Sequence, residues 1–270
     1  MLIDTFPYFN EKELLELRIR TLEDHVDGFL ITDANYTHRG EPKPFTCVET
    51  LKELGISDEN VQVLHVELPS YKDAPDPWVR ERGQRDAIGV GLHMLQDDTV
   101  FICSDCDEIA NPDKFPELLE AVEREKEKIV RLSMSMHYGR GDRQLISDKG
   151  ELFDWRCGVV STVGQLKDQG TLSAMRASQD NYYFGERDAG WHLSWMGDAD
   201  KRKTKLRSIA EYYIWDKPEV QKLCEDFVPE EGKTDMLGRE DHLLTSYPVE
   251  DLPEGAVKLE RVRRYLFSDG

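Results

Sequence analysis

The sequence predicts an α/β fold, with a mostly parallel, Rossmann-like sheet that carries helices on both faces. Short apolar segments rich in β-branched residues alternate with segments whose apolar residues recur at helical spacing, and the connections between them are short. Such strand, helix and strand successions imply right-handed parallel units. After residue 129 the segments become shorter and richer in aromatic residues and glycine, which predicts a loop-rich second half. We therefore expect a single domain over residues 1–270, divided into halves 1–112 and 113–270.

Strands and helices alternate in order along the first half. A short strand at 2–6 precedes a helix of about fifteen residues, whose apolar stripe contains Leu15, Ile19, Leu22 and Val26. Further strands are predicted at residues 29–32, 61–66, 99–103 and 129–134, and further helices at residues 48–54, 78–95 and 113–128. The alternating charges of the last helix predict an outer surface.

Carboxylates follow directly after the predicted strand 99–103. Asp105 and Asp107 stand at i and i+2, so both side chains point to the same side of an extended segment. In open α/β sheets, ligands bind outside the carboxyl ends of the strands. Oxygen ligands of this kind suit Mg²⁺ or Mn²⁺, and one ion could bridge both acids to a diphosphate. This Asp-x-Asp element therefore predicts a metal site, with a solvated acidic turn as the alternative.

Basic and polar side chains elsewhere could complete a diphosphate site. Arg85, in the predicted helix 78–95, offers a guanidinium fork that matches phosphate oxygens, although a solvated helix face is equally compatible with the pattern. Lys205 belongs to the basic run 201–207, which stands out in an acidic chain and is otherwise typical of a solvated helix face. Asn35 lies where the second strand ends in a polar loop.

The densest aromatic segment is Gly-Trp-His-Leu-Ser-Trp-Met-Gly at 190–197, shortly after the Tyr-Tyr-Phe run at 182–184. Aromatic rings such as that of Trp191 offer flat faces for a sugar, and His192 could bind a metal or carry a proton. The segment alone favours the simpler interpretation, a packed core with a hydrogen-bonded histidine.

The composition of the chain argues against several classes of protein. A formal net charge of −19 argues against a general nucleic-acid binder and against docking on anionic lipid. The chain shows neither a run long enough for a membrane-spanning helix nor a secretory signal, so we expect a cytoplasmic protein. Five cysteines, an odd number without framework spacing, indicate reduced thiols. Cys103 and Cys106 form a C-x-x-C, but zinc would want a second pair that the chain lacks.

Several segments, in order over about residues 3 to 215, resemble glycosyltransferase family 17, the β-1,4-mannosyl-glycoprotein 4-β-N-acetylglucosaminyltransferase family. They are Phe-Pro-Tyr-Phe-Asn-Glu at 6–11, Val-Asp-Gly-Phe at 26–29, Gly-Glu-Pro-Lys-Pro at 40–44, Gln-Arg-Asp at 84–86, Asp-Cys-Asp-Glu-Ile at 105–109, Ala-Gly-Trp-His-Leu-Ser-Trp at 189–195 and Lys-Leu-Arg-Ser at 205–208. The resemblance implies a GT-A type fold, UDP-N-acetylglucosamine as donor substrate, Mn²⁺ or Mg²⁺ at the Asp-x-Asp element, a glycan acceptor, and inversion at the anomeric carbon.

The resemblance also implies roles for the candidate residues. Half 1–112 would bind the nucleotide sugar and half 113–270 would form the acceptor side. Asp107 would be the more direct metal ligand, and Asp105 would reach the ribose or the metal. His192 would make a further contact to the metal or the diphosphate. The donor would also be bound by the set Arg85, Lys205, Asn35 and Trp191. An inverting transfer needs a general base, and the sequence does not distinguish among Asp188, Glu186 and Glu211.

Two alternatives remain from other classes of protein. A nucleotidyltransferase acting on sugar phosphates would share the sheet and the paired acids, but its first loop should be rich in glycine, and residues 6–11 contain none. A non-catalytic glycan-binding protein of the same fold would have lost the acids, and both are present. The sequence does not indicate an oligomeric state.

Overall fold

The computed structural model describes residues 1–267, which form two β-sheets and the helices around them. The first half contains β1 (Leu2–Tyr8), α1 (Lys12–Leu22), β2 (Gly28–Ala34), α2 (Cys47–Glu53), β3 (Val61–Val66), α3 (Pro77–Leu92), β4 (Val100–Cys103) and β5 (Glu108–Ala110). The second half begins with α4 (Phe115–Arg124), β6 (Ile129–Leu132), β7 (Met134–Tyr138), β8 (Arg140–Ser147), β9 (Asp154–Trp155), β10 (Val159–Thr162), α5 (Val163–Gln169), α6 (Leu172–Ala177), β11 (Asn181–Phe184) and β12 (Gly190–Ser194). It ends with α7 (Ala199–Ser208), α8 (Tyr212–Trp215), α9 (Pro218–Asp226), β13 (His242–Ser246), α10 (Glu254–Lys258) and α11 (Glu260–Leu266).

The larger sheet has seven strands in the order β11-β6-β10-β4-β1-β2-β3. Its strands run parallel except β10, which is antiparallel to both β4 and β6. Helices α1, α2 and α4 cover one face, and α3, α5 and α6 cover the other. Along β4, Phe101 and Ile102 pack into opposite cores, as the alternation of side chains in a strand requires. The predicted fold class, an α/β fold with a mostly parallel sheet and helices on both faces, is thereby confirmed.

The predicted elements differ from the observed ones mainly at their ends. Helix α1 has 11 residues and ends at Leu22, before Val26. The strand predicted at 129–134 is two strands, β6 and β7, because the chain leaves the larger sheet at Ser133 and enters the smaller one. Helix α3 tolerates its interior glycines because it packs closely: a Cβ at Gly91 would lie 2.8 Å from the side chain of Leu30 in β2.

The smaller sheet has six strands, five in the order β13-β8-β7-β12-β5, with β9 pairing with β7. Strand β12 lies parallel to β7 and antiparallel to β5, so it sits directly beside the segment that follows the Asp-x-Asp element. The larger sheet takes strands from both sides of the boundary at 112, and the division into a donor half and an acceptor half stays a prediction. Within residues 1–267, no helix has the length and hydrophobicity needed to cross a bilayer.

Candidate functional site

The loop between β4 and β5 carries the two acids, and Arg18 holds it from inside the protein. The Arg18 guanidinium is fully buried and pairs with Asp4 through Nε and Nη2, each at 2.7 Å. Nη1 donates to the backbone carbonyls of Asp105 at 2.6 Å and Glu108 at 2.9 Å. A buried charge must be paired and hydrogen-bonded, so these contacts fix the backbone on which Asp105 and Asp107 stand. Arg18 was not among the residues predicted for the site, although it stands on the apolar stripe of α1.

The carboxylate of Asp105 is bound by two arginines. Arg85 of α3 donates from Nη2 to Oδ1 at 2.7 Å, and Arg176 of α6 donates from Nη2 to Oδ2 at 3.1 Å. Burial alone would raise the pKa of Asp105, but Arg176 and Arg85 hold that pKa well below its usual range. The structure thus brings Asp105 and Arg85 together, and it adds Arg176, which lies on the short helix α6 in a segment without a recognised motif.

The carboxylate of Asp107 is bound by the predicted basic run. Lys205 of α7 donates from Nζ to Oδ2 at 2.7 Å, and the Nε2 atom of His192 lies 3.7 Å from the same oxygen. Burial opposes ionisation, but Lys205 and His192 lower the pKa of Asp107 below its usual range. The neighbouring Asp107 in turn raises the pKa of Lys205, against the effect of burial. Both groups are therefore charged at neutral pH.

His192 and Trp191 lie on opposite faces of β12, because successive side chains of a strand alternate. The His192 ring packs on Trp155, with ring centroids 4.3 Å apart, and faces Asp107. Its Nδ1 atom is buried and has no hydrogen-bond partner in the described part of the chain. The Trp191 indole instead donates to the carbonyl of Asp251 at 2.9 Å. Of the two aromatic residues predicted for the site, His192 lies beside the Asp-x-Asp element.

Trp191 lines a large cavity elsewhere on the molecule, together with two of the three candidate bases. This cavity has a volume of about 1010 Å³ and is also lined by Glu186 and Asp188. The Asp188 carboxylate is paired with Lys114 at 2.6 Å. Neither acid contacts Asp105 or Asp107 in any hydrogen bond or ion pair found within residues 1–267.

Glu211, the third candidate base, lies close to the acid cluster. Burial raises its pKa, and the nearby carboxylates of Glu81 and Asp105 raise it further. It immediately precedes α8 without capping that helix through its side chain. A hydrogen bond between the carboxyl group and the Glu211 backbone partly opposes the rise in this pKa.

Glu11 is a further acid at the site and was not among the residues predicted for it. Its Oε2 accepts hydrogen bonds from the backbone amides of Phe9 at 3.1 Å and Asn10 at 3.0 Å. Burial raises its pKa, and Asp107 raises it further. Glu11 and Lys205 both line a cavity of about 100 Å³ at the carboxyl ends of β1 and β2.

Asn35, the remaining residue predicted to bind the donor, makes a structural hydrogen bond between two loops. It follows β2, and its Oδ1 accepts a hydrogen bond from the backbone amide of Leu68 at 2.8 Å. This bond ties the polar loop after β2 to the segment after β3. The next two residues, Tyr36 and Thr37, line the small cavity, so Asn35 shapes the loop that borders it.

The thiols of the C-x-x-C are buried beside the loop. Burial raises the pKa of both Cys103 and Cys106. A redox motif needs an accessible thiolate, which this environment disfavours.

The residues present fit a divalent cation only in combination with a ligand. No set of three or more His, Cys, Asp and Glu side chains in residues 1–267 is arranged to hold a metal on its own. Asp107 and His192 supply two suitable donors, and a diphosphate would supply further oxygens. Acidic side chains outnumber the basic ones that face them around the loop. The basic side chains are those of Arg85, Arg176 and Lys205. The acidic side chains are those of Asp105, Asp107, Glu11, Glu81, Glu108 and Glu211. A diphosphate would meet repulsion here unless a cation offsets the excess of carboxylates.

Comparison with known proteins was made on sequence and on structure. The sequence model described as glycosyltransferase family 17 matches residues 1–210. The β-1,4-mannosyl-glycoprotein 4-β-N-acetylglucosaminyltransferase of Mus musculus is 35% identical over 106 residues, which are 37% of this chain and 20% of that protein. The Homo sapiens enzyme of the same name is 34% identical over the same shares. The chain thus spans about a fifth of the length of these relatives.

Structural overlaps are weaker. Residues 1–349 of S. aureus TarS in complex with UDP-GlcNAc overlap with a TM-score of 0.44 and 11% identity, covering 83% of this chain and 70% of that chain. A 4-diphosphocytidyl-2C-methyl-D-erythritol synthase overlaps with a TM-score of 0.40 and 12% identity, covering 68% of this chain and 89% of that chain.

Proposed function

Since this chain belongs to glycosyltransferase family 17, we propose that it transfers N-acetylglucosamine from UDP-N-acetylglucosamine to a glycan hydroxyl, with inversion at the anomeric carbon and dependence on Mn²⁺ or Mg²⁺. The observation that carries this proposal is the pair of carboxylates at the carboxyl end of β4, each held by cationic side chains: Asp105 by Arg85 and Arg176, and Asp107 by Lys205. An arrangement of acids and bases at this edge of a sheet suits a metal-bound diphosphate. The name of the mouse relative supports the choice of sugar.

Asp107 and His192 would hold the divalent cation, which would supply neutralisation of the leaving diphosphate when bound. Lys205 lies within hydrogen-bond distance of Asp107 and can exchange that carboxylate for a phosphate oxygen. The His192 ring packs on Trp155 and holds Nε2 toward Asp107. These residues stabilise negative charge that develops on the leaving group, which is where preorganised charge contributes most to the rate.

Glu211 is the general base in this proposal. Inversion in one displacement requires a base within reach of the acceptor hydroxyl. Glu211 is the candidate base whose pKa responds to Asp105, whereas Glu186 and Asp188 line the other cavity. Burial and neighbouring carboxylates raise the pKa of Glu211, so its proton affinity suits removal of a hydroxyl proton.

Replacement of Glu211 by Gln should lower kcat by about 10²-fold or more, because the amide cannot accept a proton, while UDP affinity stays within about twofold. In the wild type, only the ionised carboxylate acts as a base. Because burial raises the pKa of Glu211, activity should fall as pH decreases through that raised pKa and recover as pH increases. Initial rates measured as a function of pH check this dependence.

Glu186→Gln and Asp188→Asn serve as controls for the Glu211→Gln substitution, and their kcat should remain near that of wild type. A Glu211→Gln enzyme with wild-type kcat would refute the assignment.

The reaction itself is tested with purified protein, Mn²⁺ and a panel of UDP-sugars. We expect UDP release to require the divalent cation and to be fastest with UDP-N-acetylglucosamine. The anomeric proton of the product should show the large coupling constant of a β linkage formed from the α-linked donor. A small coupling, typical of an α linkage, would contradict inversion and remove the need for a separate base. Donor choice depends on pocket contacts worth about 1–3 kcal/mol, so another preferred UDP-sugar would revise the donor alone.

A further inference from the structure

Asp105 lies between two arginines that come from different helices. Arg85 on α3 binds one carboxylate oxygen at 2.7 Å, and Arg176 on α6 binds the other at 3.1 Å. Two guanidinium groups in such proximity repel each other, and the presence of Arg85 opposes the rise in the pKa of Arg176. The shared carboxylate offsets this repulsion. Asp105 therefore holds two positively charged side chains next to each other at the carboxyl end of β4.

Each of these arginines also carries a donor that no group in the described part of the chain accepts. The Nη1 atoms of Arg85 and Arg176 are both buried and have no hydrogen-bond partner within residues 1–267. Buried donors without a partner are unfavourable and uncommon in folded proteins. The side chain of Arg85 is 5% exposed, so bulk water does not satisfy its free donor. Such donors are retained when a ligand uses them.

The surrounding acids leave these two donors free. Glu81 accepts from Nε and Nη2 of Arg85, at 3.2 Å and 2.7 Å. Glu108 lies 3.7 Å from Nη2 of Arg176, and it is itself occupied by the backbone amide of Asp105 at 3.0 Å. None of these contacts involves Nη1. A group with several acceptor oxygens is therefore needed to pair with both arginines.

We propose that Arg85 and Arg176 form an arginine clamp that binds the diphosphate of the nucleotide-sugar donor, and that Asp105 positions the clamp instead of coordinating the metal. The inference rests on the proposed function, because it assigns the ligand of the clamp to that donor. Guanidinium forks match phosphate oxygens in geometry and charge. Both oxygens of Asp105 are engaged by arginines, which leaves Asp107 as the acid of the Asp-x-Asp element for the cation.

The clamp is tested by comparing UDP with uridine, which lacks phosphate, in saturating Mn²⁺. Arg176→Gln should weaken UDP binding at least about tenfold in calorimetry, because a charge-assisted pair to phosphate is lost. Uridine binding, followed by ligand-observed NMR, should stay within about twofold. Arg124→Gln, the same change on the exposed surface of α4, is the control and should leave UDP affinity unchanged. Arg176→Lys keeps the charge but loses the fork, and should give an intermediate loss. Equal UDP affinity in Arg176→Gln and wild type overturns the clamp.

The role of Asp105 is tested by metal binding itself. Free Mn²⁺ is measured by electron paramagnetic resonance at a UDP concentration that saturates each protein. Under these conditions the Mn²⁺ affinity of the Asp105→Asn protein should stay within about twofold of wild type. The same variant should bind UDP more weakly, because the arginines lose their common partner. An Asp105→Asn protein that loses Mn²⁺ as Asp107→Asn does would show Asp105 to be a ligand and overturn the positioning role. The result for the wild-type protein separates the two proposals. If wild type does not bind UDP with Mn²⁺, the proposed function is contradicted. If wild type binds UDP and the variants bind it equally well, only the clamp is contradicted.

Discussion

Replacement of Asp107 by Asn should remove manganese-dependent binding of UDP, with a loss of at least about 2 kcal/mol, or roughly thirtyfold in affinity. The amide has the shape of the carboxylate but lacks its charge. In the free protein the Asp107 carboxylate is buried and paired with Lys205 at 2.7 Å, so the substitution leaves an ammonium without its partner and a metal without its charged ligand.

The measurement is isothermal titration of UDP with and without Mn²⁺, supported by the shift in melting temperature that a ligand specific for the folded state must cause. Asp98→Asn provides a matched control, since Asp98 is exposed just before β4, at the opposite end of that strand. It should leave binding unchanged. Undiminished manganese-dependent binding of UDP by the Asp107→Asn protein would remove the metal from this proposal.

Replacement of Arg18 by Met should lower the free energy of unfolding by about 3–5 kcal/mol. The methionine keeps the apolar stem of the side chain but leaves the carboxylate of Asp4, which is fully buried, without its bidentate partner. The carbonyls of Asp105 and Glu108 lose their donor as well. Loss of stability should therefore be accompanied by loss of UDP binding, because the loop that carries Asp105 and Asp107 is no longer held.

Urea denaturation followed by circular dichroism checks this prediction. Arg20→Met is the matched control, because Arg20 lies on the same helix but is exposed and pairs with Glu23 at the surface. Surface pairs contribute little, so the control should be close to wild type. The double variant with Asp4→Leu should recover part of the lost stability, since it removes the unpaired charge. A single Arg18→Met variant as stable as the control would contradict the assigned role.

The parts of the site that lie within one local pattern could be predicted from the sequence. A β-branched run that ends in Asp105 and Asp107 is a strand followed by a loop, and such loops lie at the ligand edge of the sheet. His192 and Lys205 were recognised by residue type and motif, and both lie beside Asp107.

The parts that depend on long-range packing could not be predicted. Arg176 reaches Asp105 across 71 positions of the chain, and no local pattern around it indicates that contact. Arg18 is a charged residue on an apolar stripe, and its position there was a usable signal that was missed. Trp191 was predicted beside His192 in the site, although the period of two in a strand already places neighbours on opposite faces.

Strand β10 lies between β4 and β6 in the larger sheet, so this sheet cannot be completed until residues 159–162 have been synthesised. Strand β4 pairs with β1 on one side, but its partner on the other side is β10, residues Val159–Thr162, and not β6, which emerges from the ribosome first. Until β10 arrives, β4 presents a free edge of Val100, Phe101, Ile102 and Cys103, which is apolar and uncharged. Such edges recruit strands from other molecules. A chain cut at residue 112 would keep this edge permanently open, so residues 1–112 expressed alone would aggregate instead of folding as an independent unit.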